Sequence, residues 1–155
     1  VSQDLPSTRF LLVGDGELRP EVEELIRRFK LKEKVILTGW RHDVPEIIQI
    51  IDVLVLTSLW EGLPIVFPEA MASGKPIVAT NVDGAKEAII EGVNGFLVEP
   101  HNIEKFSERV IKLLRDRNLA QRMGREGKKM VYPTFDLTHM LNRIEALYEK
   151  SLVDF

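Results

Sequence analysis

Two carboxylates bracket the segment of this chain best suited to hold a polar ligand. Glu61 and Glu69 stand in the run Ser58-Leu59-Trp60-Glu61-Gly62-Leu63-Pro64-Ile65-Val66-Phe67-Pro68-Glu69. An ionised carboxylate only accepts hydrogen bonds, so its natural partner is a hydroxyl-rich group such as ribose or a hexose. The run leads from a strand-like segment into a helix-like one, and the first amides of a helix lack intrahelical partners and carry partial positive charge. A diphosphate placed there accepts several N–H bonds. Each such bond to a charged group contributes roughly 1.5–3 kcal/mol, against about 0.3–1 kcal/mol from the helix dipole, so direct amide contacts dominate. The plainer reading makes both residues helix-start carboxylates that complement the dipole, and spacing alone leaves the two readings open.

The elements that must position this run alternate. Arg9 to Val13 is an apolar run stopped by Gly14-Asp15-Gly16 and reads as a strand. Pro20 opens an amphipathic helix with Val22, Leu25, Ile26 and Phe29 on one face. Val35 to Thr38 is a second strand, followed by a short helix from about Val44 carrying Ile47, Ile48 and Ile51. Val53 to Thr57 is a third strand, apolar on both faces, as in a parallel sheet covered on both sides. Ile65 to Ser73 reads as a helix ended by Gly74, Pro76 to Thr80 as a strand and Ala85 to Ile90 as a short helix. Asn94-Gly95 reads as a turn before a strand over Phe96 to Val98. Helical periodicity runs from Ile103 onward and ends in a helix over Leu137 to Lys150. Strand–helix alternation predicts an α/β fold with an open, doubly wound parallel sheet. Ligands bind such sheets outside the carboxyl ends of the strands, where the Glu61–Glu69 run falls.

A chain of 155 residues with 45% hydrophobic and 29% charged residues fits one globular domain, taken as 1–155. A net charge of −3 and the lack of a long basic tract argue against nucleic acid as a partner. One cluster, Arg115, Arg117, Arg122, Arg125, Lys128 and Lys129, reads either as a solvated helix face or as peripheral attraction to anionic lipid. The chain has no cysteine, which excludes disulfides and zinc–thiolate sites. His42, His101 and His139 have no metal-like spacing and read as surface or capping residues, so no metal site is expected. Gly14-Asp15-Gly16 lacks the third glycine of a dinucleotide loop and reads as a tight turn. Ser58 and Ser73 lack a nucleophile-elbow context. The start of the chain does not read as a signal peptide, and no segment approaches the roughly 18 apolar residues of a membrane span. The expected location is cytoplasmic, with the inner membrane face as a variant.

The Glu61/Glu69 pair runs on into Ala70-Met71-Ala72-Ser73-Gly74-Lys75-Pro76-Ile77-Val78-Ala79-Thr80. The ordered blocks Leu12-Val13-Gly14-Asp15-Gly16, Thr38-Gly39-Trp40, Asp52-Val53 with Ser58, and Gly92-Val93-Asn94-Gly95-Phe96-Leu97-Val98 accompany it. Together, over roughly residues 9 to 150, they resemble the group 1 family of retaining glycosyltransferases, in their nucleotide-sugar-binding, Rossmann-like half of the GT-B fold. The resemblance implies transfer of a hexosyl group from a UDP- or GDP-sugar, with no essential metal, to a carbohydrate or lipid-linked acceptor. It implies that Glu61 contacts the transferred sugar and stabilises a cation-like transition state without acting as a nucleophile. The amides of Gly62 and Leu63 would then serve the sugar hydroxyls, those of Ile65 and Val66 the diphosphate, and Glu69 the ribose. Gly39, Trp40 and Arg41 would lie along the base, with Trp40 either stacking there or packing on the neighbouring helix.

Two departures from the family pattern carry consequences. The family's Val-Gly-Gly loop reads Val82-Asp83-Gly84, and an inward-pointing Asp83 would repel a diphosphate. The family's earlier strand, with the Arg and Lys that touch the diphosphate, has no counterpart here, which leaves Arg41 and Lys75 as the nearest cations. The acceptor-binding domain also has no counterpart. The expectation is therefore a truncated domain, inactive by itself, whose Arg9 strand pairs directly with the Val53 strand or whose gap is filled by another chain. The last helix resembles the segment that packs back on the partner domain, with Leu152, Val153 and Phe155 either a remnant of that contact or a frayed tail. A non-catalytic split subunit, or binding fragment completed by a partner chain, is the alternative. A nucleotide-sugar epimerase of the same fold fits the Glu61–Ala72 block less well.

Overall fold

The computed structural model describes residues 1–153, with side-chain surroundings for residues 1–152. Its elements divide into two compact units, Val1–Ile47 and Ile48–Phe155.

In the first unit, strand β1 (Phe10–Leu12) pairs in parallel with β2 (Val35–Leu37), Phe10 opposite Val35. Helix α1 (Arg19–Arg28) is the crossover, with Pro20 in its first turn, where a missing N–H costs nothing. Its apolar face stays open: none of its residues is buried, and Leu25 and Phe29 are exposed. Helix α2 (Val44–Ile50) runs across the division between the units.

The second unit carries strands β3 (Leu54–Leu56), β4 (Ile77–Thr80) and β5 (Gly95–Val98), all parallel and in that order. Helices α3 (Val66–Ala72) and α4 (Asp83–Ala88) make the crossovers, and α5 (Ile103–Arg115), α6 (Arg117–Val131) and α7 (Leu137–Val153) follow. The central strand β4 is buried at every position, and Phe67, Met71, Ile77, Val78, Leu113 and Met123 form the core around it. Asn94 is a fully buried polar member of that core. Its Nδ2 donates to the Ala88 carbonyl at 2.9 Å and its Oδ1 accepts from the Ile90 amide at 2.8 Å, which satisfies a buried amide side chain. The amide of Leu97, in β5, donates to Glu91 Oε2 at 2.7 Å.

The alternation and parallel pairing expected from the sequence are present, and three details differ. The Arg9 strand, β1, lies in a two-stranded sheet with β2 in the first unit, and the Val53 strand, β3, in a three-stranded sheet with β4 and β5 in the second. Strand β3 is not covered on both faces, since Val55 is 44% exposed. Gly95 belongs to β5 rather than to a turn. Of the apolar tail, Leu152 is exposed. Phe155 and the side chain of Val153 lie outside the described residues.

Asp116 both ends α5 and caps α6, its Oδ1 accepting from the Leu119 amide at 2.9 Å. Helix α6 then packs on the turn after α3. A Cβ built on Gly124 would lie 1.8 Å from the Gly74 carbonyl oxygen, so only glycine permits this approach. Gly127 is easier, since a Cβ there would meet Met71 and Asn94 side-chain atoms at 3.4 Å. Gly124→Ala should therefore lower stability in denaturant unfolding by about 1–3 kcal/mol through overpacking. Gly127→Ala should cost less than Gly124→Ala, because its neighbours are side chains and alanine raises helix propensity by about 1 kcal/mol.

Candidate functional site

The Glu61–Glu69 turn leaves β3, crosses the carboxyl end of the sheet and enters α3. It lies at the surface: Gly62 and Leu63 are exposed and Ile65 is 74% exposed, while Glu61 and Glu69 are partly buried. Phe67, the second residue of the helix, is fully buried and anchors α3 in the core.

Helix α4 fixes the turn from below. Gly84 is buried, and a Cβ added to it would fall 1.0 Å from the Gly62 carbonyl oxygen and 2.9 Å from that of Glu61. The carbonyls of this stretch therefore face the protein. In a trans peptide the N–H points opposite its C=O, so the amides of Gly62 and Leu63 face away from α4. Among the described residues, the amides of Gly62, Leu63, Ile65 and Val66 have no protein acceptor. The next amide, Phe67, already bonds to the Pro64 carbonyl at 3.0 Å, and Glu69 N bonds to the Ile65 carbonyl at 3.2 Å. The helix ladder thus begins just past these donors.

Glu61 is held from one side. Ser58 Oγ donates to Glu61 Oε1 at 2.7 Å, and the buried Thr80 hydroxyl at the end of β4 donates to the Ser58 carbonyl. Sequence reasoning counted Ser58 among the family blocks, weighed its chemistry only as a nucleophile's, and did not single out Thr80. The usable signal was a hydroxyl three residues before a carboxylate at a strand end. Next to Thr80, Asn81 Nδ2 donates to Glu99 Oε1 at 2.5 Å. A groove lined by Thr57, Leu59, Thr80, Glu99, His101 and Phe106 opens at the carboxyl ends of β3, β4 and β5.

Asp83, the departure from the family loop, does not point inward. Its side chain is fully exposed and lies 3.6 Å from Lys86 Nζ, so it brings no buried charge to the turn. Lys75 is occupied elsewhere, its Nζ donating to the Gln49 carbonyl at 2.7 Å.

In the first unit, Gly39 adopts φ 67° and forms a bridge with Gly14, whose amide donates to its carbonyl at 3.0 Å. Trp40 is 78% exposed, which goes against the packing alternative for this residue. Arg41 forms a two-point pair with Asp43, Nε donating to Oδ1 at 2.7 Å, which raises the guanidinium pKa and lowers that of the Asp43 carboxyl. The Gly14-Asp15-Gly16 loop is not a bare amide cradle, and the hydrogen-bonded turn begins only at Gly16, whose carbonyl accepts from the Arg19 amide at 3.0 Å. The Gly16 amide donates to Asp15 Oδ1 at 2.9 Å, and Arg19 bonds Oδ2 at 2.7 Å. The Gly16 amide, followed by Arg19, holds the Asp15 carboxyl below its usual range.

The family model "Glycosyl transferases group 1" matches residues 1–130, and the chain belongs to that family. It is 31% identical over 151 residues to the Escherichia coli UDP-Gal:alpha-D-GlcNAc-diphosphoundecaprenol alpha-1,3-galactosyltransferase, covering 97% of this chain and 39% of that protein. It is 31% identical over 146 residues to the Bacillus anthracis N-acetyl-alpha-D-glucosaminyl L-malate synthase, covering 94% of this chain and 38% of that protein. The chain thus spans about two fifths of the length of the curated relatives it matches. Among solved structures, Anabaena HepE in complex with UDP-glucose superposes with a TM-score of 0.88 at 28% identity, over 94% of this chain and 42% of that one.

The contact of α4 with the turn makes a sharp test. Gly84→Ala should displace the Gly62–Leu63 peptide and lower unfolding stability by about 1–3 kcal/mol, while Asp83→Ala in the same helix should stay within about 0.5 kcal/mol.

Proposed function

We propose that this chain is the donor-binding domain of a retaining hexosyltransferase that uses a nucleotide-diphosphate sugar. The observation that carries the reading is the row of acceptor-free amides at Gly62, Leu63, Ile65 and Val66, set between Glu61 and Glu69 on an exposed turn. Ile65 and Val66 donate to the diphosphate, and Gly62 and Leu63 to sugar hydroxyls. Glu69 accepts from the ribose. Glu61, steadied by Ser58, orients the sugar and stabilises positive charge as the diphosphate departs from the same face. Family resemblance supports Gly39, Trp40 and Arg41 as base contacts. The full exposure of the Asp83 side chain removes the electrostatic objection to a diphosphate.

A UDP-sugar is the first donor to test. The HepE structures contain UDP-glucose or UDP, and the galactosyltransferase relative is named for UDP-Gal. GDP-sugars are the second choice. The acceptor is a carbohydrate or a lipid-linked sugar, held by a further domain, and the location that suits a nucleotide-sugar donor is the cytoplasm. The exposed apolar seam of α7, with Met140, Leu141, Ile144, Leu147 and Tyr148 at helical spacing, supports a partner domain covering that helix.

Calorimetric titration with uridine, guanosine and adenosine diphosphates tests the site. Glu69→Ala should weaken every nucleotide that binds by about 10-fold or more, the loss of a hydrogen bond to a charged group. Unchanged binding would remove Glu69 from the site. The chain by itself should transfer little or no sugar, and ordinary transferase rates from it would contradict a domain that needs a partner.

A further inference from the structure

Helix α6 carries a charge asymmetry that donor binding does not use. Its 15 residues include Arg117, Arg122, Arg125, Lys128 and Lys129 against a single acid, Glu126, in a chain of net charge −3. At roughly 100° per residue, Arg117, Lys128, Gln121, Arg125, Asn118, Lys129 and Arg122 fall in that order around an arc of about 140°. The arc contains no carboxylate, and every residue on it is exposed. Tyr132, directly after the helix, continues the arc and is also exposed. Only Lys129 has an anionic partner among the described residues, Glu126 at 2.7 Å.

The opposite side is fixed. Leu119, Met123, Gly124 and Gly127 are buried, and Gly124 lies against the Gly74 carbonyl more closely than any side chain allows. The helix cannot roll about its axis, so the basic arc from Arg117 to Lys129 is held outward as a rigid stripe about 18 Å long, at 1.5 Å per residue.

We propose that this face of α6 docks on an anionic lipid bilayer. A straight, convex row of cations meets a flat sheet of headgroups along its whole length, whereas a nucleic-acid groove calls for a concave or inserted element. The rest of the chain is net acidic, which disfavours wrapping by a polyanion but leaves one-sided contact with a surface intact. An exposed tyrosine at the end of the row suits the headgroup region, where its ring and hydroxyl find different surroundings. No helix among the described residues is long and apolar enough to cross a membrane, so contact is peripheral. The proposal does not rest on the transferase reading.

Co-sedimentation of the chain with phosphatidylcholine vesicles, with and without about a third of phosphatidylglycerol, tests it. Binding should need the anionic lipid and should fall as salt rises from about 0.1 M to 1 M, where the screening length shrinks from roughly 10 Å to 3 Å. Each basic residue near such a surface contributes about 1 kcal/mol, or about fivefold. The variant Arg122→Gln, Arg125→Gln, Lys128→Gln should therefore bind about 100-fold more weakly. A variant with the same charge loss elsewhere, Arg28→Gln, Lys32→Gln, Lys150→Gln, should bind as the parent does. Circular dichroism of both variants checks that folding is retained. The idea is overturned if the parent binds neither kind of vesicle, or binds neutral ones equally well. It is also overturned if the two variants lose binding equally, or if soluble polyphosphate is bound while anionic vesicles are not.

Discussion

The approach of Gly84 to the Gly62–Leu63 peptide governs the candidate site. Helix α4 comes closer to that peptide than any Cβ would permit, and what it meets is carbonyl oxygen. A trans peptide turned with its carbonyl towards the protein presents its amide to the outside. A steric fact at one buried glycine is thereby converted into hydrogen-bonding capacity at the surface. Thr80 and Ser58 add a second anchor on the sheet side, so the carboxylate of Glu61 and the amide row are held by different elements. Donors held in place by packing need little reorganisation when charge develops in front of them, which is the main way a protein stabilises a departing diphosphate.

Close backbone approach is used a second time, at Gly124, and with a different result. There it locks α6 against the end of α3 and settles which side of the helix is solvent and which is core. Helix α3 is thus fixed by Phe67 and Met71 from within and by α6 from outside. The second unit is a compact body around a fully buried β4. By contrast, α1, β3 and α7 each leave apolar surface open. Exposed apolar residues of this kind, in a chain that spans about two fifths of its relatives' length, are those a larger assembly would cover.

Much of this was legible in the residues. Strand–helix alternation comes from local hydrophobic periods, and the element boundaries read from it fall within a few residues of those observed. The Glu61/Glu69 block carries its own context, a strand before and a helix after, so its place at the carboxyl end of the sheet follows from order alone. Trp40 was not decidable, because a tryptophan in a loop stacks or packs according to neighbours that lie elsewhere in the chain. Asn94 read as a turn residue and stands in one, and its two hydrogen bonds also place it in the core. Local turn propensity and burial use the same residue type for different ends.

Sequence by itself determined the α/β order, the family, and the spacing of two acids around a glycine-bearing turn, because these are properties of neighbours along the chain. Tertiary structure alone decided which way the turn's amides face, that Asp83 points to solvent, that the strands form two sheets and that the cations of α6 share one outward arc pinned by Gly124. Each of those outcomes depends on contacts between residues distant in sequence. A glycine's missing side chain has no meaning until the backbone that occupies its place has been folded against it.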